Sequence, residues 1–319
     1  MFKKPKIVFF GSTEYSAHTL KTLIEEGYLI VAVVTNPDSP QGRKKQLTPT
    51  PVKLVAQAAG LPVLQPVTLK IGKSAIYLPE NSRAGATTER ERGSGEPSRA
   101  NPGSRVGDMA DLPDLGIVVA YSKIIPKEIL DIFPKGVLNI HPSLLPAYRG
   151  PSPVQTAILN GEKETGVTIM QIDEEVDHGP ILAQAKYQIP PDAYTPQVTH
   201  DLFELGTELL TQTIPDLLEG KVDLRQQDHS QATFTKKFTW QDGRIDWTQP
   251  AEKIYHQIRA LNPEPGTWTM FNNKVLKILK AVLNKGWTLI LEEVQLEGKK
   301  VMSYEDFLRG IDQKEINFN

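Results

Sequence analysis

Hydrophobic positions gather first into short continuous runs. Residues 6–12 read as an apolar strand ending in a glycine turn, residues up to about 26 carry apolar positions near helical spacing, and residues 29–35 form a second apolar run. That order, strand then helix then strand, predicts a parallel pair joined by a right-handed crossover. A helix at 52–59, a short strand at 62–65, a strand at 116–121, a helix with Pro126 in its first turn and a strand at 137–141 continue the alternation. The expected fold is α/β: a Rossmann-like, doubly wound, mostly parallel sheet.

Past residue 150 the pattern changes. Residues 151–160 read as a helix, 166–173 and 180–188 alternate like a hairpin, and Leu202, Leu205, Leu209, Leu210, Leu217 and Leu218 mark a long helix over 196–219. After a connector at 222–238 come a helix at 251–261, a hairpin of 267–271 with 275–283 turning at Asn272 and Asn273, and a strand at 287–296. Those strands suit a small β-barrel of the oligonucleotide-binding type. The expected domains are 1–195, 196–238 as helix and linker, and the barrel at 239–319.

Two stretches break the pattern. Residues 36–53 are too rich in proline and glycine for regular structure, and they present three consecutive cations, Arg43, Lys44 and Lys45, suited to phosphates. Residues 72–113 show no apolar periodicity and bury too little to offset ordering entropy, so an insertion that stays disordered is expected there. A lineage insertion and a locally altered reading frame explain it equally well.

Composition narrows the class. With 319 residues two domains are natural, and 39% hydrophobic with 23% charged residues is ordinary for a soluble globular protein. Cysteine is absent, so neither disulfides nor thiolate metal sites arise, and no apolar run is long enough to span a bilayer. A cytoplasmic monomer fits. A net charge of -2 argues against indiscriminate nucleic-acid binding and leaves RNA contact to local basic patches.

The candidate chemistry lies where the strand at 137–141 opens into a loop marked by Pro142, Pro146 and Gly150. Alternate strand residues share a face, so Asn139 and His141 project together at an edge where α/β sheets bind ligands. An amide donor beside an imidazole suits attack of an amine on a carbonyl, one group holding the oxyanion and the other handling a proton. An aspartate of the stretch 173–179, Asp173 or Asp177, is a candidate to orient that imidazole. The plainer readings are a satisfied strand-end histidine and a turn aspartate bonded to its own backbone. A metal held by His141, Asp173 and Asp177 lacks paired ligand spacing, and none is expected. The first glycine turn, at Gly11, is not a Gly-x-Gly-x-x-Gly cradle, so a dinucleotide is not indicated.

Asn139, His141, the run Ser143, Leu144, Leu145, Pro146, then Tyr148, Arg149, Gly150, and downstream residues 164–170 and Asp177, His178, Gly179 resemble the signature of the formyltetrahydrofolate-dependent formyltransferases. The resemblance implies 10-formyltetrahydrofolate as co-substrate, with Asn139, His141 and Asp177 catalytic. It also implies folate contacts at Val119, Ala120 and Tyr121 and at Ser143, Leu144, Leu145 and Pro146. The basic loop is similar to an insertion that family members acting on methionyl initiator tRNA use to grip its acceptor end. Arg43, Lys44 and Lys45 are thereby implied as tRNA contacts, and formylation of the methionyl α-amine as the activity. Two alternatives stay open: a formyltransferase for a small amine, such as a sugar nucleotide or glycinamide ribonucleotide, and a tRNA-binding homologue with impaired catalysis. Relatives place a compact helix where residues 72–113 depart from the pattern.

Overall fold

The computed structural model describes residues 4–42, 45–69 and 113–310. The expected disordered insertion, 72–113, lies outside that description except for Pro113, as do Arg43 and Lys44. The chain divides after Val137 into two compact units.

In the first unit four strands run parallel in the order β5 (Val63–Leu64), β2 (Leu29–Val34), β1 (Lys6–Gly11), β6 (Leu115–Val119). Their side chains are almost continuously buried, Ile7, Phe9, Phe10, Ala32, Val33, Val34, Leu115 and Ile117 among them, as a sheet with covered faces demands. Helix α1 (Glu14–Glu25) is capped by Thr13, whose side chain accepts from the Ser16 amide. Ser16 Oγ in turn donates to Val119 O at 2.6 Å. A Cβ on Gly11 would sit 2.5 Å from Ser16 Cβ, so this glycine lets the helix start crowd the strand end.

One expectation is corrected here. The proline-rich loop contains a two-stranded antiparallel ribbon, β3 (Ser39–Gln41) with β4 (Gln46–Thr48), in which Pro40 faces Leu47. A two-stranded ribbon is all edge, and an edge tolerates the missing proline N–H. Its turn uses positive φ at Gly42 (68°) and Lys45 (48°). Asp38 pins its base, accepting from Lys53 Nζ and Gln65 Nε2, both at 2.7 Å. These bonds, Lys53 first, hold the Asp38 carboxyl below its ordinary pKa. Helix α2 (Pro51–Ala58) follows, opened by Pro51 behind the Thr50 cap; the short α3 (Lys127–Leu130) comes after β6.

The second unit begins in β7 (Val137–His141), which pairs antiparallel with β8 (Glu164–Gln171), itself paired antiparallel with β9 (Ile181–Gln188). Helix α4 (Pro153–Leu159) connects β7 to β8, and α5 (Thr195–Leu218) packs over β8 and β9. Helix α6 (Ala251–Leu261) precedes an antiparallel sheet ordered β10 (Thr267–Phe271), β11 (Lys274–Leu283), β12 (Leu289–Leu296), β13 (Met302–Ser303), followed by α7 (Tyr304–Arg309). Ile254, Tyr255, Ile258, Phe271, Leu276, Ile278, Val294 and Phe307 fill its core. Arg259 Nε donates to Ala193 O (2.9 Å) and Thr195 Oγ1 to Ala260 O (2.7 Å), fastening this piece to the start of α5.

Gly206 is where α5 meets the site-bearing strand. A Cβ there would lie 2.5 Å from Ile140 Cγ2 and 2.9 Å from Val167 Cγ2. Gly206→Ala is expected to lower unfolding free energy by about 1–3 kcal/mol through overpacking, measured by urea denaturation; a stabilised variant would contradict this contact.

Candidate active site

Residues of β7 alternate between faces, so Asn139 and His141 belong to the same one. His141 is 4% exposed, and both of its ring nitrogens face oxygen. Nε2 lies 3.0 Å from Tyr148 O and Nδ1 lies 3.5 Å from Asp177 Oδ1. A carbonyl only accepts, so Nε2 carries a proton and donates. The other Asp177 oxygen accepts from Gly150 N at 2.8 Å. The imidazole is thus gripped from the loop at 148–150 and from the turn at 177, and the same loop fixes the carboxylate.

Asn139 is half-buried, and among the described residues its side chain makes no hydrogen bond. A positioned amide donor in that state fits an oxygen arriving with a ligand.

The signature residues around this pair have local physical reasons. Tyr148 and Asp177 hold φ of 61° and 50°, a region that costs non-glycine residues energy unless the surroundings enforce it. Gly150 has φ 106°, and a Cβ there would meet Thr235 O and Oγ1 at 2.9 Å. On Gly179 a Cβ would fall 2.0 Å from Gln171 O, so only glycine lets the 177 turn pass so close to the end of β8. The Tyr148 hydroxyl donates to Glu162 Oε1 at 2.5 Å and accepts from Asn160 Nδ2. Burial, then Glu162, raises its pKa above the ordinary phenol value.

Asp173 does not reach His141. Its carboxylate takes His178 Nδ1 at 2.6 Å, and the His178 ring stacks on His229 at 4.0 Å between centroids. Among the described residues the one metal-like grouping is His200, Asp201 and Glu204 on α5, away from these groups in sequence.

The positions expected to touch folate divide between the units. In the first, Val119 ends β6, Ala120 turns at φ 44°, and Tyr121 packs against Phe10 with rings 6.0 Å apart. Burial pushes the Tyr121 hydroxyl up to about 12, and it has no hydrogen-bond partner among the described residues. In the second, Ser143 Oγ donates to Ala147 O (2.6 Å) and Leu145 is buried. Thr168 Oγ1 clasps this loop, donating to Ser143 O and accepting from Leu145 N. Leu144 and Pro146 are the half-buried members, Leu144 lying over Gly166, where a Cβ would come within 2.4 Å of it. Of the basic residues, Lys45 is exposed at the ribbon turn.

What the sequence did not reveal is the connector's part. Arg149, 3% exposed, donates from Nε (3.1 Å) and Nη2 (2.7 Å) to Gln227 Oε1, and from Nη2 to His229 Nδ1 (2.8 Å). Since arginine only donates, His229 keeps its proton on Nε2. Thr233 Oγ1 accepts from Tyr148 N, and Thr235 N donates to Arg149 O. A buried arginine needs acceptors, and the motif gave that signal without saying which residues supply them.

Against known proteins, residues 5–214 match the formyl transferase family and residues 237–287 its C-terminal domain. The chain belongs to the formyl transferase family. It is 46% identical to the methionyl-tRNA formyltransferase of Chloroflexus aggregans over 278 residues, 87% of this chain and 80% of the relative. To that of Roseiflexus castenholzii it is 40% identical over 331 aligned positions, covering 96% of each. Among solved structures, methionyl-tRNA formyltransferase from Clostridium thermocellum is similar in fold, with TM-score 0.54 and 19% identity, covering 92% of this chain and 98% of the other. An N-formyltransferase from Helicobacter canadensis, in complex with folinic acid and dTDP-3-aminofucose, gives TM-score 0.62 at 18% identity, covering 94% and 98%. As a formyl transferase the chain is a one-carbon transferase, and among the described residues no helix is long and apolar enough to cross a membrane.

Arg149→Lys tests the buried fork. Lysine supplies a point charge and cannot bond both Gln227 and His229 in this geometry, so a loss of about 1.5–3 kcal/mol in unfolding free energy is expected. A denaturation midpoint equal to wild type would contradict the assigned bonds.

Proposed function

We propose that this formyl transferase moves a formyl group from 10-formyltetrahydrofolate to the α-amine of methionyl initiator tRNA. The observation that carries the chemistry is His141 held between Asp177 and Tyr148 O on the strand that offers the uncommitted Asn139 amide. The acceptor follows from the end-to-end likeness to methionyl-tRNA formyltransferases.

The folate supplies an activated formyl carbon. As the amine adds, negative charge grows on the formyl oxygen, and the Asn139 amide donates to it. The His141 imidazole, fixed by its two oxygen partners, adds positive character beside that oxygen when it carries both protons. Asp177 fixes the ring through Nδ1 and helps relay the proton released by the amine to the folate nitrogen, which leaves with the bonding pair as its bond to the formyl carbon breaks. Leu144 and Pro146 offer apolar faces to the pterin arm, whereas Ser143 and Leu145, whose side chains and backbone groups are committed to the fold, shape the loop that presents them. Lys45, with Arg43 and Lys44, provides phosphate contacts for the tRNA.

The deciding assay offers purified chain 10-formyltetrahydrofolate together with charged initiator tRNA or, separately, small sugar-nucleotide and ribonucleotide amines. Formylation of the tRNA is the expected result; exclusive turnover of a small amine would replace this acceptor. Removing one oxyanion donor costs roughly 3–4 kcal/mol of transition-state stabilisation, so Asn139→Ala should lower kcat by about 10²–10³-fold with an unchanged melting temperature. His141→Ala is expected to lose most turnover as well. Rates close to wild type in either variant would remove these residues from the mechanism.

A further inference from the structure

Gln227 is a buried polar side chain that the mechanism above does not use, 5% exposed and far from the signature motifs in sequence. A carboxamide has two N–H donors and two acceptor lone pairs, and here all four are engaged. Nε2 donates to Asp177 O at 2.9 Å and to Gly179 O at 2.7 Å. Oε1 accepts from Arg149 Nε and Nη2 at 3.1 and 2.7 Å.

We propose that Gln227 is a positioning residue for formyl transfer, acting through Asp177; this rests on the reading given above. The carbonyls of residues 177 and 179 converge on one amide because Asp177 turns at φ 50°. Gln227 therefore supports a conformation that costs energy by itself. That same residue holds its carboxylate against His141 and Gly150 N. The other end of Gln227 grips Arg149, whose neighbours Tyr148 and Gly150 supply the remaining contacts to the pair. One side chain thus clamps both pieces of chain that aim the imidazole. With the clamp gone the turn relaxes, the carboxylate swings, and the ring loses its orientation, while surfaces that bind folate and tRNA stay as they were. A displacement of about 1 Å in such a group costs on the order of 10²-fold in rate.

A residue that merely holds the fold together behaves differently: its loss lowers the melting temperature and spares turnover. Gln227→Glu separates the two, because it keeps an acceptor for Arg149 and loses both donors to the turn; Gln227→Met removes all four bonds at similar volume. Each is made alone and with Asp177→Asn, and read by formylation kinetics, thermal unfolding and the ¹H and ¹⁵N resonances of the His141 ring. Gln227→Glu is expected to stay folded, with kcat down about 10–100-fold and KM for both substrates within about twofold. In the Asp177→Asn background that factor should collapse to about twofold or less, as coupled sites do. The His141 resonances should move in both single variants. A kcat within twofold of wild type, a factor that survives in the Asp177→Asn background, or unmoved His141 resonances each overturns the proposal. If the wild-type chain formylates no charged tRNA, the acceptor assignment fails, and the His141 resonances alone decide the positioning role.

Discussion

His141 has an oxygen facing each ring nitrogen, and two separate stretches of chain supply them. His141 takes Tyr148 O on one side and the Asp177 carboxylate on the other, and these come from segments that precede and follow β8. Both partners are acceptors, a backbone carbonyl 3.0 Å from Nε2 and a carboxylate oxygen 3.5 Å from Nδ1. Much of what surrounds the pair serves to keep those two oxygens where they are. Gly150 N fixes the carboxylate, Thr233 fixes the Tyr148 amide, and Tyr148 anchors its ring to Glu162.

That arrangement draws on conformations a chain would not adopt unaided. Tyr148 and Asp177 lie at positive φ, and Gly150 and Gly179 sit where any Cβ would run into the backbone opposite. For Tyr148 and Asp177 such a departure costs of order 1–3 kcal/mol and persists only where neighbours enforce it. The enforcing bonds are buried or half-buried: Gln227 to the carbonyls at 177 and 179, and Thr235 Oγ1 donating to Arg149 O at 3.0 Å while accepting from Ser152 N. Strain in the turns beside His141 and Asp177 and satisfaction in the shell around them are two sides of one design.

How much of this the sequence disclosed follows from the range of each interaction. Apolar runs gave the strands, since burial on both faces leaves a continuous signal, and Asn139 with His141 on one face followed from the two-residue period alone. The resemblance named Asp177 over Asp173; in the structure Asp177 Oδ1 lies 3.5 Å from His141 Nδ1, while Asp173 is taken by His178. The ribbon at 39–48 escaped because proline content was read as excluding pairing, although a ribbon's outer edge does not use the N–H. Gln227 escaped for a deeper reason. It meets Arg149 across 78 residues, and no periodicity, cap or turn rule reports which distant amide will satisfy a buried guanidinium.

The connector makes the same point about domains. Residues 222–238 lack apolar periodicity and read as a spacer, yet a segment without a hydrophobic face is not thereby a free one. Arg225 exchanges backbone bonds with Ile181, Thr233 and Thr235 bond to the loop at 146–149, and Lys236 pairs with Asp242 in the 3₁₀ turn Trp240–Gly243. Gln257 of α6 then donates to Asp242 O and Arg244 O, carrying the chain of contacts into the carboxyl-terminal core. Polar bonds to backbone groups do here what buried leucines do elsewhere. A polar segment laid along strained turns can satisfy their exposed carbonyls and amides, which an apolar one cannot, so the composition that made these residues look like a linker is the one their position requires.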